Sequence, residues 1–288
     1  MNRGDSPRTV VITGTSTGIG RATALHLDRL GYRVFAGVRR EADADGLRRE
    51  SSERLAPVLL DVTDVGSIEA AAKTVSAEVG ERGLAGLVNN AGIGLGGPLE
   101  FMPLDELRRQ LEVNTIGPVA VTQQFLPLLR RGTGRIVFVS SIGGRFSQPI
   151  AGPYCASKFA LEALADALRM ELGPSHIHVS LIEPGAIKTM IFEKTVQYGD
   201  LTLAQLPEEG KRLYGKMAKA VLDFFAKMEG SAISPDRVAR VIEHALTAAR
   251  PKTRYLVGID ARTQALLAWL LPDRIRDALL GRLVGLSR

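Results

Sequence analysis

The 288-residue chain has a single cysteine, Cys155, so no internal disulfide can staple it. A chain of this length buries enough apolar surface to fold without staples, and a reducing compartment suits it. Long apolar runs are missing as well. The longest near the C-terminal end, residues 265–271, stops at Pro272, whereas crossing a bilayer takes about 20 residues. The opening segment, MNRGDSPR, lacks the apolar stretch of a signal peptide. The expectation is a cytoplasmic protein with no transmembrane segment. Histidines are few. His176 and His178 form an HxH with no third ligand in view, so no metal is expected. Dense basic runs are also absent despite a net charge of +6; the basic residues come at most in pairs such as Arg39-Arg40 and Arg130-Arg131. Nucleic-acid binding would need a denser patch with interleaved aromatics. The charge reads as solvated surface, with one pair open to an anionic cofactor.

What is present is an alternation of short apolar runs with longer amphipathic ones. Strands are expected at 9–13, 33–38, 57–60, 84–89, 135–140 and 178–182, and helices at 19–30, 64–79, 104–129 and 154–172. The strands are continuously apolar, as a parallel sheet covered on both faces requires. Strand–helix repetition of this kind predicts an α/β fold, a doubly wound, mostly parallel, Rossmann-like sheet. After Pro184 the regularity fails. Residues 186–233 carry glycines and one helical piece at 211–228. A helix at 235–249, a strand at 255–257 and a helical tail at 264–286, split by Pro272, follow. One domain is expected, with 8–185 as dinucleotide-binding and catalytic core, 186–233 as substrate lid and 260–288 as helical tail.

Between the first strand and the first helix stands Thr13-Gly14-Thr15-Ser16-Thr17-Gly18-Ile19-Gly20. Glycines let the backbone turn tightly and approach a phosphate, and the helix start offers free N–H groups and a positive dipole end. After the second strand, where an NAD-preferring fold places an acid, the sequence reads Val38-Arg39-Arg40. A guanidinium can grip a 2′-phosphate, which points to NADP(H). Further on, Tyr154 and Lys158 lie four apart on one helix face. A nearby ammonium favours the phenolate, so this tyrosine can exchange a proton with a carbonyl or alcohol oxygen. Ser141 ends the fifth strand, where open sheets gather their ligands. Asp61 follows the third strand, with helix capping by it, Thr63 or Asp64 as the plainer role.

These motifs resemble those of the short-chain dehydrogenase/reductase family. TGxxxGIG at 13–20, NNAG at 89–92, Asn114, Ser141, Tyr154, Lys158 and a PGxxxT at 184–189 occur in the family's order over about residues 8–190. The resemblance implies a catalytic set of Asn114, Ser141, Tyr154 and Lys158. It implies cofactor contacts at Gly14, Ser16, Thr17, Gly18, Ile19, Gly20, Arg39, Arg40, Asp61, Val62, Asn89, Ala91, Gly92, Pro184, Gly185, Ile187 and Thr189, with Tyr154 and Lys158 shared. Asn114 would hold a relay water behind the lysine, and Asp61 would lie against the adenine. SSIGGR, PYCASKFALEALADALRMEL and VSLIEPG are most similar to the retinol and hydroxysteroid dehydrogenase branch.

Past Pro184-Gly185, the surplus of Ile187, Met190, Ile191, Phe192, Leu213, Tyr214, Met217, Leu222, Phe224 and Phe225 suggests a lid over an apolar alcohol or carbonyl, loosened by Gly199, Gly210 and Gly215. The tail joins leucines, Trp269 and Val284 to Arg274, Arg276 and Arg282. Packing on the lid or a second subunit, in a homodimer or homotetramer, is expected ahead of contact with a membrane surface. The other functional class, a non-catalytic NADP-binding sensor or scaffold, would have lost Tyr154, Lys158 or Ser141, and all three are present.

Overall fold

The computed structural model describes residues 8–230 and 232–283, with the side chains of 191–194, 196–197, 225, 227–229 and 283 outside that description. Seven strands form one sheet in the order β3-β2-β1-β4-β5-β6-β7, with every neighbouring pair parallel. They are β1 (Thr9–Ile12), β2 (Arg33–Val38), β3 (Leu55–Leu59), β4 (Gly86–Asn89), β5 (Arg135–Val139), β6 (Val179–Pro184) and β7 (Arg254–Val257). The order reverses between β1 and β4. That crossover opens a crevice above the strands' carboxyl ends, where ligands of doubly wound sheets bind.

Two cores cover the two faces of the sheet. Phe35, Leu87, Phe125 and Phe138 lie in the core on one face. Ile12, Leu27, Leu47 and Ile242 lie in the core on the other. The helices that supply them include α1 (Gly18–Arg29), α2 (Glu41–Arg48), α3 (Val65–Val79), α5 (Gly117–Gly132), α6 (Gly152–Leu172) and α9 (Pro235–Thr247). The sequence pattern did not suggest α2. It has eight residues, and only Ala44 and Leu47 on it are buried, too short a stripe to read as periodic.

The expected single helix at 104–129 is three pieces. α4 (Leu104–Leu111) runs into one π-turn, Glu112–Ile116, and then into α5. The stretch after Pro184 is more regular than its glycines suggested. α7 (Met190–Gln205) and α8 (Glu208–Glu229) form a helical hairpin. The three glycines expected to loosen it lie inside these helices. A Cβ at Gly199 would meet Leu222 Cδ2 at 2.6 Å, so this glycine lets α7 and α8 approach closely rather than freeing the backbone. The chain ends in α10 (Ile259–Leu270) and α11 (Asp273–Leu283), separated at Pro272 as expected.

Candidate active site

The glycine turn is held from both sides. Thr15 donates through its amide and hydroxyl to Gly37 O, at 3.0 and 2.9 Å, which ties the turn to β2. On the β4 side, Thr13 Oγ1 accepts from the amides of Asn90 and Ala91, both at 3.0 Å. Asn90 Nδ2 returns two bonds, to Thr13 O (3.0 Å) and Gly14 O (2.9 Å). Gly14 has φ +68°, and a Cβ there would meet Ala91 Cα at 2.7 Å, so no other residue suits the position. A Cβ at Gly20 would run into Gly14 O and Asn90 Nδ2. Thr17 stands at the N-cap of α1 without a side-chain capping bond. The first amides of the helix are thus left to an outside acceptor, and their dipole favours an anion.

Asn90 is a positioning residue that the motif contained and the residue-by-residue reading passed over. Asn90→Ala removes two bonds from a part-buried turn, at about 1 kcal/mol each. The expected result is a melting temperature lower by roughly 4–8 °C, read by calorimetry. An unchanged melting temperature would show that the turn is held by Thr13 and Thr15 alone.

The other cofactor candidates divide. Ser16, Thr17, Gly18, Ile187 and Thr189 line one cleft of about 1010 Å³, together with two cations absent from the sequence reading, Arg21 and Lys188. Arg21 is engaged with Glu50 at 2.5 Å. Arg39 is exposed and makes no hydrogen bond or ion pair among the described residues. Arg40 is also exposed, but its guanidinium is turned onto Asp43 through two 3.0 Å bonds, which leaves Arg39 the freer of the two cations. The side chain of Asn89 points into the core and donates to Thr122 Oγ1 at 2.9 Å, so only its backbone is open to a cofactor. Asp61 accepts from the amide and hydroxyl of Thr63, at 3.0 and 2.8 Å, while Asp64 caps α3. Val62 abuts Gly117, where a Cβ would meet its carbonyl oxygen at 2.7 Å. Gly92 lies between Asn114 and Lys158: a Cβ there would stand 3.3 Å from Asn114 Oδ1 and 3.8 Å from Lys158 Nζ. The strap after Pro184 is anchored by Asp260, whose Oδ2 accepts from Ala186 N at 2.7 Å and fills the space a side chain at Gly185 would need. Asp260 is 74 residues from Ala186 in sequence, and nothing in the local pattern pairs them.

The four catalytic candidates converge at the carboxyl end of β5. Ser141 caps a short 3-10 turn, Ile142–Gly144, and accepts from Gly143 N at 3.1 Å. Gly143 lies against the Tyr154 ring, where a Cβ would be 3.2 Å from Cε1, so a side chain there would press on the ring. The Tyr154 side chain is half-buried beside this loop. Burial pushes the Tyr154 phenol up to about 12, with the Ser141 hydroxyl opposing. Lys158 is 5% exposed. Its Nζ donates to Val139 O at 3.0 Å and stands 5.8 Å from the centre of the Tyr154 ring. Burial pulls the ammonium down to about 8, with Glu162 opposing. Asn114 is fully buried in the π-turn. Its Nδ2 donates to Ile93 O (2.8 Å) and Ser157 Oγ (3.0 Å), and its Oδ1 accepts from Ile93 N (2.9 Å). Ser157 passes the connection on, donating to Tyr154 O at 2.7 Å. Single π-turns inside helices recur at functional sites, because the extra residue re-aims a side chain. Cys155 donates to Phe146 O, and burial raises its thiol, which makes it an inert packing group.

Over this site, the loop after β4 and the hairpin α7–α8 meet. Thr195 Oγ1 donates to Gly94 O at 3.2 Å, Tyr214 OH to Glu100 Oε2 at 2.6 Å, and the Tyr214 and Phe101 rings pack edge to face at 6.0 Å. Leu222 is buried in the hairpin, while Met190 and Leu213 are 44% and 50% exposed. The side chains of Ile191, Phe192 and Phe225, and Val284 as a whole, lie outside the described residues. Toward the C-terminal end, Arg276 lies at 6.0 Å over the ring of Phe146, on the loop after β5, while Ile259 and Trp269 are each 81% exposed. No helix of the described residues is long and apolar enough to cross a membrane.

Residues 8–198 match the family model described as short chain dehydrogenase. The chain is 42% identical to human retinol dehydrogenase 5 over 283 residues, covering 94% of this chain and 87% of that protein. It is 38% identical to bovine dehydrogenase/reductase SDR family member 9 over 278 residues, covering 94% and 86%. Among solved structures, a short-chain dehydrogenase from Streptomyces avermitilis superposes with a TM-score of 0.77 at 28% identity, covering 98% of each chain. One from Burkholderia cenocepacia, in complex with NADP, superposes at 0.73 and 25% identity, covering 96% of this chain and 98% of that one. Fold, motifs and relatives agree, and the chain belongs to the short-chain dehydrogenase family, as an oxidoreductase that interconverts alcohols and carbonyls.

Proposed function

We propose that the protein is an NADP(H)-dependent oxidoreductase acting on an apolar alcohol or ketone, with Tyr154 as general acid and base. The observation that carries this reading is the half-buried Tyr154, packed against the loop of Ser141 and one turn from the buried Lys158, at the carboxyl end of the sheet. Gly14, Gly18 and Gly20 leave a bare cradle that fits a dinucleotide's pyrophosphate, and the unpaired Arg39 fits a 2′-phosphate. A bound nicotinamide would supply or accept the hydride. Tyr154, protonated at neutral pH, gives its proton to the carbonyl oxygen in reduction. Ser141 holds that oxygen with a second hydrogen bond. Lys158, carrying its charge below about pH 8, lowers the cost of the phenolate left behind. In oxidation the same groups run in reverse. Asn114 and Ser157 fix the backbone behind the tyrosine.

In the proposed enzyme residues 8–185 form the dinucleotide-binding and catalytic core, 186–233 the substrate lid and 260–288 the helical tail. The α7–α8 hairpin would close over the substrate, excluding water from the hydride and the carbonyl. The retinol dehydrogenases among the relatives favour an extended apolar alcohol over a small polar one. A buried methylene contributes about 0.8 kcal/mol, so a polycyclic or long-chain body could be held with few polar contacts. The test is a panel of retinoids, steroids, long-chain aldehydes, short polar aldehydes and sugars with NADP(H). The expected result is a kcat/KM at least tenfold higher for the large apolar carbonyls. A preference for the short polar ones would assign the hairpin's apolar side chains to packing alone.

A further inference from the structure

Helix α6 carries a stripe of four titratable side chains, each one turn from the next: Tyr154, Lys158, Glu162 and Asp166. The first two belong to the catalytic set. The third has no assigned role, and its surroundings are unusual. Glu162 is 7% exposed. Its Oε2 accepts from Arg254 Nε at 3.0 Å, but Oε1 is buried with no hydrogen-bond partner. Its stem packs on the catalytic loop, where a Cβ at Gly144 would meet Glu162 Cγ at 2.9 Å.

We propose that Glu162 is a positioning residue for proton transfer: its buried carboxylate is the counter-charge that keeps Lys158 an ammonium, and Arg254 holds that carboxylate in place. The inference rests on the assignment of Tyr154 and Lys158 given above.

A structural salt bridge would be expected to use both carboxylate oxygens on the guanidinium fork. Here the fork is shared instead. Arg254 Nε also faces Glu183 Oε1 at 3.2 Å, and Nη2 binds Asp166 Oδ2 at 2.5 Å. The ammonium of Lys158, for its part, has only the neutral carbonyl of Val139 as a hydrogen-bond acceptor among the described residues. A buried ammonium without a counter-charge releases its proton, because burial penalises the charged form. Most other charged groups around α6 are already committed. Arg145, from the loop after β5, pairs with Glu183 Oε2 at 2.6 Å. Glu183, from β6, is fully buried, and burial followed by Glu162 pushes it up to about 7. Asp166 is shared by Arg254 and Arg169. On α4, Asp105 pairs with Arg108 and Glu106 with Arg109 at the surface, and the π-turn contributes Glu112, half-buried. Glu162, buried one turn along α6 from Lys158 and with Oε1 unpartnered, is the carboxylate placed to oppose the fall of that ammonium.

The sign follows. Removing the carboxylate's charge leaves burial unopposed, so Lys158 loses its proton at lower pH. The probe is the protein without cofactor, labelled with 13C at the lysine ε-carbons and titrated by NMR. The Lys158 signal is identified by its disappearance in Lys158→Arg. In Glu162→Gln its midpoint is expected about one pH unit lower than in the unmodified protein, a tenfold change in the proton equilibrium. Glu162→Asp, which withdraws the charge by one methylene, should move it the same way by less, and it serves if the glutamine variant does not fold. A midpoint unchanged in whichever variant folds overturns the proposal and leaves Glu162 as a strut between α6 and β7. The measurement needs no turnover, so it stands apart from any failure of the Tyr154 assignment.

Discussion

Tyr154→Phe is expected to lower kcat by about 10³- to 10⁴-fold while leaving NADP(H) affinity and the melting temperature unchanged. General acid catalysis by a positioned group contributes up to about 10⁴-fold, and here one hydroxyl carries it. The substitution is close to isosteric, so the ring keeps its contact with Gly143 and the loop of Ser141 stays in place. What disappears is the transferable proton. No neighbour replaces it. Cys155 is buried with its thiol turned to Phe146 O, and Lys158 Nζ is turned to Val139 O. Lys158→Ala should differ in kind, raising the KM for the cofactor as well as lowering kcat, because the ammonium would act on ribose and phenol together. Steady-state kinetics combined with a titration of NADPH fluorescence separates the two variants. Substantial turnover in Tyr154→Phe would move the proton donor elsewhere.

The parts of this site that could be read from the sequence are those whose constraint is local. Gly14, Gly18 and Gly20 sit at fixed spacing because one turn must bend, take positive φ and leave a phosphate room. Tyr154 and Lys158 are readable as a pair because a helix puts four-residue neighbours on one face. The same rule would have offered Glu162, had its burial been known. Burial depends on Arg254, 92 residues away. Asp260 was hidden for the same reason. Asn114 was read inside a regular helix, since nothing in a 3.6-residue pattern announces the one turn of π geometry that aims it at Ile93 and Ser157. The α7 helix was lost to a composition argument. Glycine is a helix breaker on propensity alone, yet at Gly199 close packing against Leu222 outweighs propensity.

Arg39→Asp is expected to lower NADP(H) affinity by about 100-fold and to make NAD(H) the preferred cofactor. Charge-assisted, bidentate bonds to phosphate are the strong class of hydrogen bond, and a guanidinium supplies them at a fixed fork. Arg39 directly follows β2, two residues before α2, at the place where NAD-binding folds put an acid on the ribose hydroxyls. The exchange therefore acts twice, removing the phosphate's partner and supplying the ribose's. Arg40 should not compensate, because its guanidinium is already committed to Asp43. Arg40→Ala is the matched control, with a change of less than about threefold, since an exposed pair one turn apart on a helix contributes little. Salt gives a second handle. An exposed arginine–phosphate contact is screened, so the NADP(H) advantage of the unmodified protein should shrink as ionic strength rises, and that of Arg39→Asp should not. Equilibrium titrations of both cofactors against both variants, at low and high salt, decide the matter. Equal or tighter NAD(H) binding by the unmodified protein would remove the basis for an NADP(H) enzyme and leave the exposed Arg39 as ordinary surface charge.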